Sequence, residues 1–118
     1  ITDSKDTELD LNKLKKKAMS SKNRIVGITF ETRPDFCDKK TIKRLLDYGG
    51  TRVELGAQII DDKVLDFVNR GHKVKEIIKA TKELKDAGFK VLYHVMLGLP
   101  GSDYKKDLEC FKEIFKEK

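Results

Sequence analysis

Apolar positions along the chain follow a helical period in some stretches and a strand period in others. Leu11, Leu14 and Ala18 recur at helical spacing with Met19 beside them, which predicts a helix from about Glu8 to Met19. Ile25-Val26-Gly27-Ile28-Thr29-Phe30-Glu31 is rich in β-branched residues and reads as a buried strand. Pro34 ends it and biases Arg33 away from helix. Asp38 caps a second helix whose stripe is Ile42, Leu45 and Leu46, and Gly49-Gly50 closes it. Arg52 to Gln58 is a second strand. Asp61 or Asp62 caps a short helix carrying Val64, Leu65 and Val68, which stops at Asn69-Arg70-Gly71-His72. A longer helix follows on Val74, Ile77, Ile78, Thr81 and Leu84, with Gly88 as its terminator. Phe89 to Leu97 is the third strand. Loop Gly98-Leu99-Pro100-Gly101-Ser102 then leads to a helix capped by Ser102 or Asp103, with Tyr104, Leu108, Phe111, Ile114 and Phe115 as its apolar face.

Strands alternating with helices mean βαβ units, a parallel sheet and the α/β class. Crossovers of this kind are right-handed. A closed (β/α)₈ barrel takes about 250 residues, so three strands make a partial TIM-type barrel with open edges. Open edges offer unpaired backbone groups, and self-association through them is an expectation. Residues 1–23 read as an N-terminal helix and loop and residues 24–118 as the central part of the barrel. Ile1 at the start and a charged helix at the end read as a cut from something longer.

Charge modifies this picture more than size does. Charged residues make up 39% of the 118, against about 25% in an average soluble domain, so apolar residues are used sparingly. The net charge of +6 suits a polyanionic partner or a solvated lysine-rich surface. Abundant Lys and Glu with a single Gln fit a heat-adapted protein. Cys37 and Cys110 lie far apart at no metal or redox spacing, so no metal ligands are expected within the chain. Free thiols, the absence of an 18-residue apolar run and the polar N-terminus give a cytoplasmic location without a membrane as the expectation. No GxGxxG, Walker, HExxH or GxSxG pattern occurs, and a plain hydrolase or aldolase barrel lacks an evident catalytic pair.

The chemistry gathers at the strand ends. Side chains alternate across a strand, so one face carries Thr29 and Glu31, then Arg52, Glu54, Gly56 and Gln58, then Leu92, His94 and Met96. The other face carries Phe30, Val53, Leu55, Ala57, Val91, Tyr93 and Val95. A strand paired on both sides and packed under helices is usually apolar on both faces, so a polar face marks a lumen that holds something polar. Each residue also has a structural reading. Glu31 is placed to pair with Arg33 or Arg52, Gln58 to satisfy loose backbone groups, and His94 to sit as a bonded core histidine. Arg70 follows a helix as a C-terminal charge, and the loop glycines mark a tight turn. Ligands of α/β folds nonetheless bind at the carboxyl ends of parallel strands, which is where Glu31, Gln58 and His94 fall. The Gly98–Gly101 loop also precedes a helix N-terminus, a weak anion signal.

The runs ETRPD (Glu31 to Asp35), TRVELGAQ (Thr51 to Gln58), NRGH (Asn69 to His72), DAGFKV (Asp86 to Val91) and HVMLGLPGSD (His94 to Asp103) resemble consecutive segments of the radical S-adenosylmethionine enzymes. They are most similar to the family of the Elongator catalytic subunit, the radical SAM and acetyltransferase enzymes that modify the wobble uridine of tRNA. The order and spacing fit from about Arg24 onward. Coproporphyrinogen-oxidase-like radical SAM proteins share a looser version. The resemblance implies S-adenosylmethionine and a [4Fe–4S] cluster as cofactors, acetyl-CoA as co-substrate and tRNA as partner. It implies that a 5′-deoxyadenosyl radical activates the acetyl group, which is added to C5 of the uridine as carboxymethyl. Glu31, Gln58, Arg70 and His94 match cofactor-contacting positions, the arginine through the methionyl carboxylate. His94 departs from an aspartate common in related enzymes. The family's three cluster cysteines normally lie upstream, and neither they nor the acetyltransferase domain occurs in this chain. Two other readings stand beside this one: a coproporphyrinogen-oxidase-like radical SAM enzyme, and a non-catalytic module that binds RNA or another partner.

Overall fold

A computed structural model describes residues 10–116 of the chain. The stretch Ile1 to Thr7 and the expected helix start near Glu8 lie outside the described residues. Helix α1 is Leu11–Ser20, capped by the Asp10 carboxylate, which accepts from the amides of Asn12 and Lys13. Strand β1 is Thr29–Thr32, followed by a 3-10 turn at Pro34–Phe36. Helix α2 is Lys39–Asp47, strand β2 Arg52–Gln58, helix α3 Asp62–Phe67 and helix α4 Val74–Asp86. Strand β3 is Lys90–Val95 and helix α5 is Tyr104–Ile114.

The three strands form one parallel sheet in the order β1-β2-β3. Strand β2 is central and supplies the core: Val53, Leu55 and Ala57 are fully buried under the helices. Val64, Leu65, Ile77, Ala80 and Leu84 complete that layer from α3 and α4. The alternating apolar face is therefore the helix-covered one, as the sequence predicts.

Capping resolves the paired alternatives. Asp61 caps α3 through the amides of Lys63 and Val64. Asp62 instead accepts from the amide of Val74 at 2.7 Å and ties the start of α4 to α3. Asp103 caps α5 through Lys106, and Ser102 donates to Asp107 at 2.6 Å.

Three expectations change. Strand β1 begins at Thr29, not Ile25, because its partner β2 begins at Arg52, which lies opposite Thr29. Ile25 and Val26 project beyond the paired region and are exposed. On α4 the buried stripe is Ile77, Ala80 and Leu84, and Ile78 points outward. On α5 the buried side chain is Cys110, whose Sγ accepts from the Ile60 amide at 3.3 Å. Tyr104, Leu108, Phe111 and Phe115 are exposed among the described residues.

Candidate cofactor site at the strand ends

Parallel register sets Glu31 opposite Glu54 and Glu54 opposite Leu92. His94, two residues beyond Leu92 on the same face, reaches both acids. Its Nε2 lies 2.9 Å from Glu54 Oε2 and its Nδ1 3.3 Å from Glu31 Oε1. Glu31 is the open member of this trio, with 67% of its side chain exposed against 28% for Glu54. Glu31 thus pairs with His94 and not with Arg33 or Arg52. Arg33 is committed elsewhere, gripping Asp35 through Nε at 3.0 Å and Nη2 at 2.7 Å.

A second group forms where β2 ends. Gln58 takes a φ of 68°, a left-handed conformation that a non-glycine residue adopts at a cost of order 1 kcal/mol. The sheet register is irregular between Leu55 and Gln58. Gly56 is buried beneath this bend. A Cβ there would lie 2.8 Å from Arg70 Nη2 and 3.3 Å from Gln58 Nε2. The Arg70 guanidinium therefore crosses the face of β2 because residue 56 has no side chain. Its Nε is buried without a hydrogen-bond partner, a costly state for a cation in a folded protein.

Arg70 is delivered by a tightly curled loop. Asn69 and Gly71 both take positive φ, 52° and 79°. The Arg70 carbonyl accepts from Arg33 Nη2 at 3.1 Å, and a Cβ on Gly71 would sit 2.9 Å from that same nitrogen. The ETRPD and NRGH segments are thus one interlocked unit. His72 is buried below them, with Nδ1 3.9 Å from Asp35 Oδ1. Neither ring nitrogen makes a well-formed hydrogen bond. Burial pushes the His72 pKa down, and the Ala57 backbone offsets part of that effect. The ring is held neutral as a structural element.

The glycine-rich loop is fixed from α5. Asp107 accepts from the Gly98 amide at 2.9 Å as well as from Ser102, and these bonds hold its carboxyl below the ordinary aspartate value. Gly101 has a φ of 85° and packs against the Phe67 ring. The loop does more than turn the chain, since its backbone is pinned at both ends.

The model for the radical SAM superfamily matches residues 1–114. The chain belongs to the radical SAM superfamily. Among its relatives is the tRNA uridine(34) acetyltransferase of Methanocaldococcus jannaschii, 52% identical over 96 residues, which are 81% of this chain and 18% of that protein. Elongator complex protein 3 of Drosophila melanogaster is 43% identical over 95 residues, 80% of this chain and 17% of that one. The solved structure of the archaeal Methanocaldococcus infernus Elp3 with an N-terminal deletion (1–46) superposes with a TM-score of 0.87 at 47% identity, covering 90% of this chain and 25% of that one. The chain spans about a fifth of the length of the curated relatives it matches.

Of the four predicted site residues, the structure pairs Glu31 with His94 and brings Gln58 and Arg70 to the space above Gly56. Sequence reasoning put Glu54 and Gly56 on this face but gave them no part in the site, and it missed the Arg33–Asp35 clamp with its hold on the Arg70 carbonyl. Alternation from Gln58 was a sufficient signal for Glu54. The clamp had none, since it depends on the distant NRGH loop. The chain does not supply the thiolates of a radical SAM cluster. Burial raises the Cys37 thiol to about 11, with Glu83 adding to it, and burial also raises Cys110. Both stay protonated at neutral pH, whereas cluster ligands are thiolates. Among the described residues no helix is long and apolar enough to cross a membrane.

Proposed function

We propose that this chain is the central part of the radical SAM barrel of an enzyme that modifies uridine 34 of tRNA, and that Glu31, Gln58, Arg70 and His94 line its S-adenosylmethionine site. The substrate assignment rests on relatives named for tRNA uridine(34) acetylation at about half identity. The observation that carries the cofactor site is the half-buried Arg70 guanidinium, whose Nε is buried without a partner and which lies over Gly56 beside the strained Gln58.

The residues present fit the cofactor. A guanidinium fork matches a carboxylate by paired, charge-assisted hydrogen bonds, and the methionyl carboxylate supplies what Arg70 lacks. The Gln58 amide offers one donor and one acceptor to the amine or the ribose. Glu31, exposed and on the same face, accepts from hydroxyl or ammonium groups. Held by Arg70, Gln58 and Glu31, S-adenosylmethionine would supply the radical chemistry by which the acetyl group of acetyl-CoA is joined through its methyl carbon to C5 of the uridine, water releasing CoA to leave carboxymethyl. This chain's part is to bind, orient and shield the cofactor from water. The cluster is held by cysteines outside this chain. Lysines spread over the surface attract tRNA phosphates, and the location is the cytoplasm.

Isothermal titration of the full-length protein tests the site. Arg70→Ala weakens S-adenosylmethionine binding at least tenfold with the fold retained by circular dichroism. Unchanged affinity overturns the assignment of the site. Mass spectrometry of tRNA incubated with the reduced enzyme, S-adenosylmethionine and acetyl-CoA tests the reaction. The expected product is carboxymethyl at uridine 34, and unmodified tRNA from an enzyme with an intact cluster overturns the reading.

A further inference from the structure

Glu54 has no part in the reading above, yet it makes the shorter of the two contacts to His94, 2.9 Å against 3.3 Å. We propose that Glu54 is a positioning residue that acts through His94, fixing the ring so that Nδ1 and the Glu31 carboxylate meet the ligand as one preset pair. This rests on the assignment of His94 and Glu31 to the S-adenosylmethionine site.

The two acids differ in kind. Glu54 lies on the central strand, paired on both sides, and is mostly covered. Glu31 lies on the edge strand, and two thirds of its side chain is open to solvent. Strand β2 thus supplies a covered anchor and β1 an open carboxylate. The Glu54 contact also selects the ring's proton. A carboxylate only accepts, so Nε2 must carry hydrogen. The other ring nitrogen, Nδ1, faces the Glu31 carboxylate at 3.3 Å. With the ring fixed, the open Glu31 carboxylate beside it is left to accept from hydroxyl groups of a ligand. In metal sites, a partner that fixes the orientation and tautomer of an imidazole changes metal affinity or activity about 10–100-fold without touching the metal, and the effect expected here lies at the lower end of that range.

A cation is the competing occupant, since one ligand atom from each of the three residues falls within 4.8 Å of the others. The geometry disfavours it. A cation needs one ring nitrogen facing it together with both carboxylates. Here the carboxylates take opposite ring nitrogens, so a cation must first break both contacts.

The test is titration of S-adenosylmethionine into full-length protein carrying its cluster, with wild type, Glu54→Ala, Glu54→Gln, His94→Ala and the Glu54→Ala/His94→Ala double variant. Glu54→Ala is expected to weaken binding about tenfold. Glu54→Gln recovers most of that, because its amide oxygen still accepts from Nε2. The double variant binds no more weakly than His94→Ala alone, since Glu54 acts only through the ring. Wild-type affinity in Glu54→Ala beside a loss in His94→Ala overturns the proposal. So does full additivity of the two losses. Wild-type affinity in His94→Ala overturns the underlying site assignment instead. Stoichiometric Mn²⁺ binding by electron paramagnetic resonance, lost in Glu54→Gln, replaces the positioning role with a cation site. Should Glu54→Ala fail to fold, Glu54→Asp is measured, whose carboxylate is withdrawn by one methylene. Binding as tight as wild type there overturns the proposal.

Discussion

Gly56→Ala separates the site from the scaffold. The new methyl would lie 2.8 Å from Arg70 Nη2, against a comfortable contact of about 3.5 Å. The guanidinium must retreat by about 0.7 Å, or swing away altogether. Its Nε is already buried without a partner, so no protein bond holds it in place. Hydrogen bonds to charged groups contribute about 1.5–3 kcal/mol, and about 1.4 kcal/mol is tenfold in affinity. Misaligning the Arg70 fork should therefore weaken S-adenosylmethionine binding about 10- to 100-fold. Stability should hardly move. Gly56 is not among the positive-φ glycines, and Ala is favoured over Gly inside a strand by about 0.5–1 kcal/mol. That gain offsets the displacement of a flexible side-chain end. The assay pairs calorimetric titration with urea unfolding of the full-length protein. Expected is a large loss of affinity with unfolding free energy within about 1 kcal/mol of wild type. In an Arg70→Ala background the same substitution should cost no further affinity. Wild-type affinity in Gly56→Ala, or an undiminished loss in the Arg70→Ala background, would refute the reasoning.

Other consequences are independent of the ligand. Leu55→Ala removes a fully buried side chain from the central strand and should destabilise the domain by about 2–5 kcal/mol; urea unfolding with a shift under 1 kcal/mol would contradict the packing described. Cys37, raised to about 11, and Cys110 should resist iodoacetamide at pH 8 in the folded protein and react once it is unfolded in urea; rapid labelling of the folded state counts against their burial. The lowered pKa of His72 means that the unfolded chain binds the proton more readily than the folded one. Its stabilising contribution is therefore full above the unfolded value of about 6.5 and is lost as pH falls through that value. Melting temperature should drop between pH 7.5 and 5.5, and His72→Gln should flatten that slope; an unchanged or rising profile in wild type would refute it.

The parallel α/β order was legible because each strand is bounded by strong punctuation, such as Pro34, Gly49-Gly50 and Gly88. Strand β1 was misjudged at its start for a physical reason. Ile25 and Val26 have strand propensity, but pairing requires a partner, and β2 begins only opposite Thr29. Ile78 and the α5 stripe went wrong alike, since helical periodicity identifies an apolar face without saying what covers it. Period-two alternation put Glu31, Gln58 and His94 on one face, and the structure keeps them there. The hold on Arg70 was not legible. It needs Gly56 from one strand, Arg33 from another and a left-handed loop between two helices.

The same features argue that this end of the sheet was shaped for something other than stability. Glu54 sits on a central parallel strand, where apolar side chains normally fill both faces. A partly covered acid–histidine pair gains little once the loss of hydration is counted. Gln58 adds backbone strain, and Arg70 adds an unsatisfied buried nitrogen. Leucines at 54 and 94 and a glycine at 58 would remove the first two burdens, and the opposite face shows that this chain packs such residues well. Among the described residues, buried atoms without partners also occur elsewhere, at Glu83 Oε2 on α4 and at the His72 ring nitrogens, but only here do they coincide with backbone strain and a partly covered acid. Glu54, Gln58, Arg70 and His94 lie on one face, at the carboxyl ends of the strands, while the core beneath them is apolar apart from the neutral His72 ring. Backbone strain and an unmet guanidinium nitrogen brought to one face of a well-packed sheet are what a preorganised binding site leaves behind when the ligand supplies the missing partner.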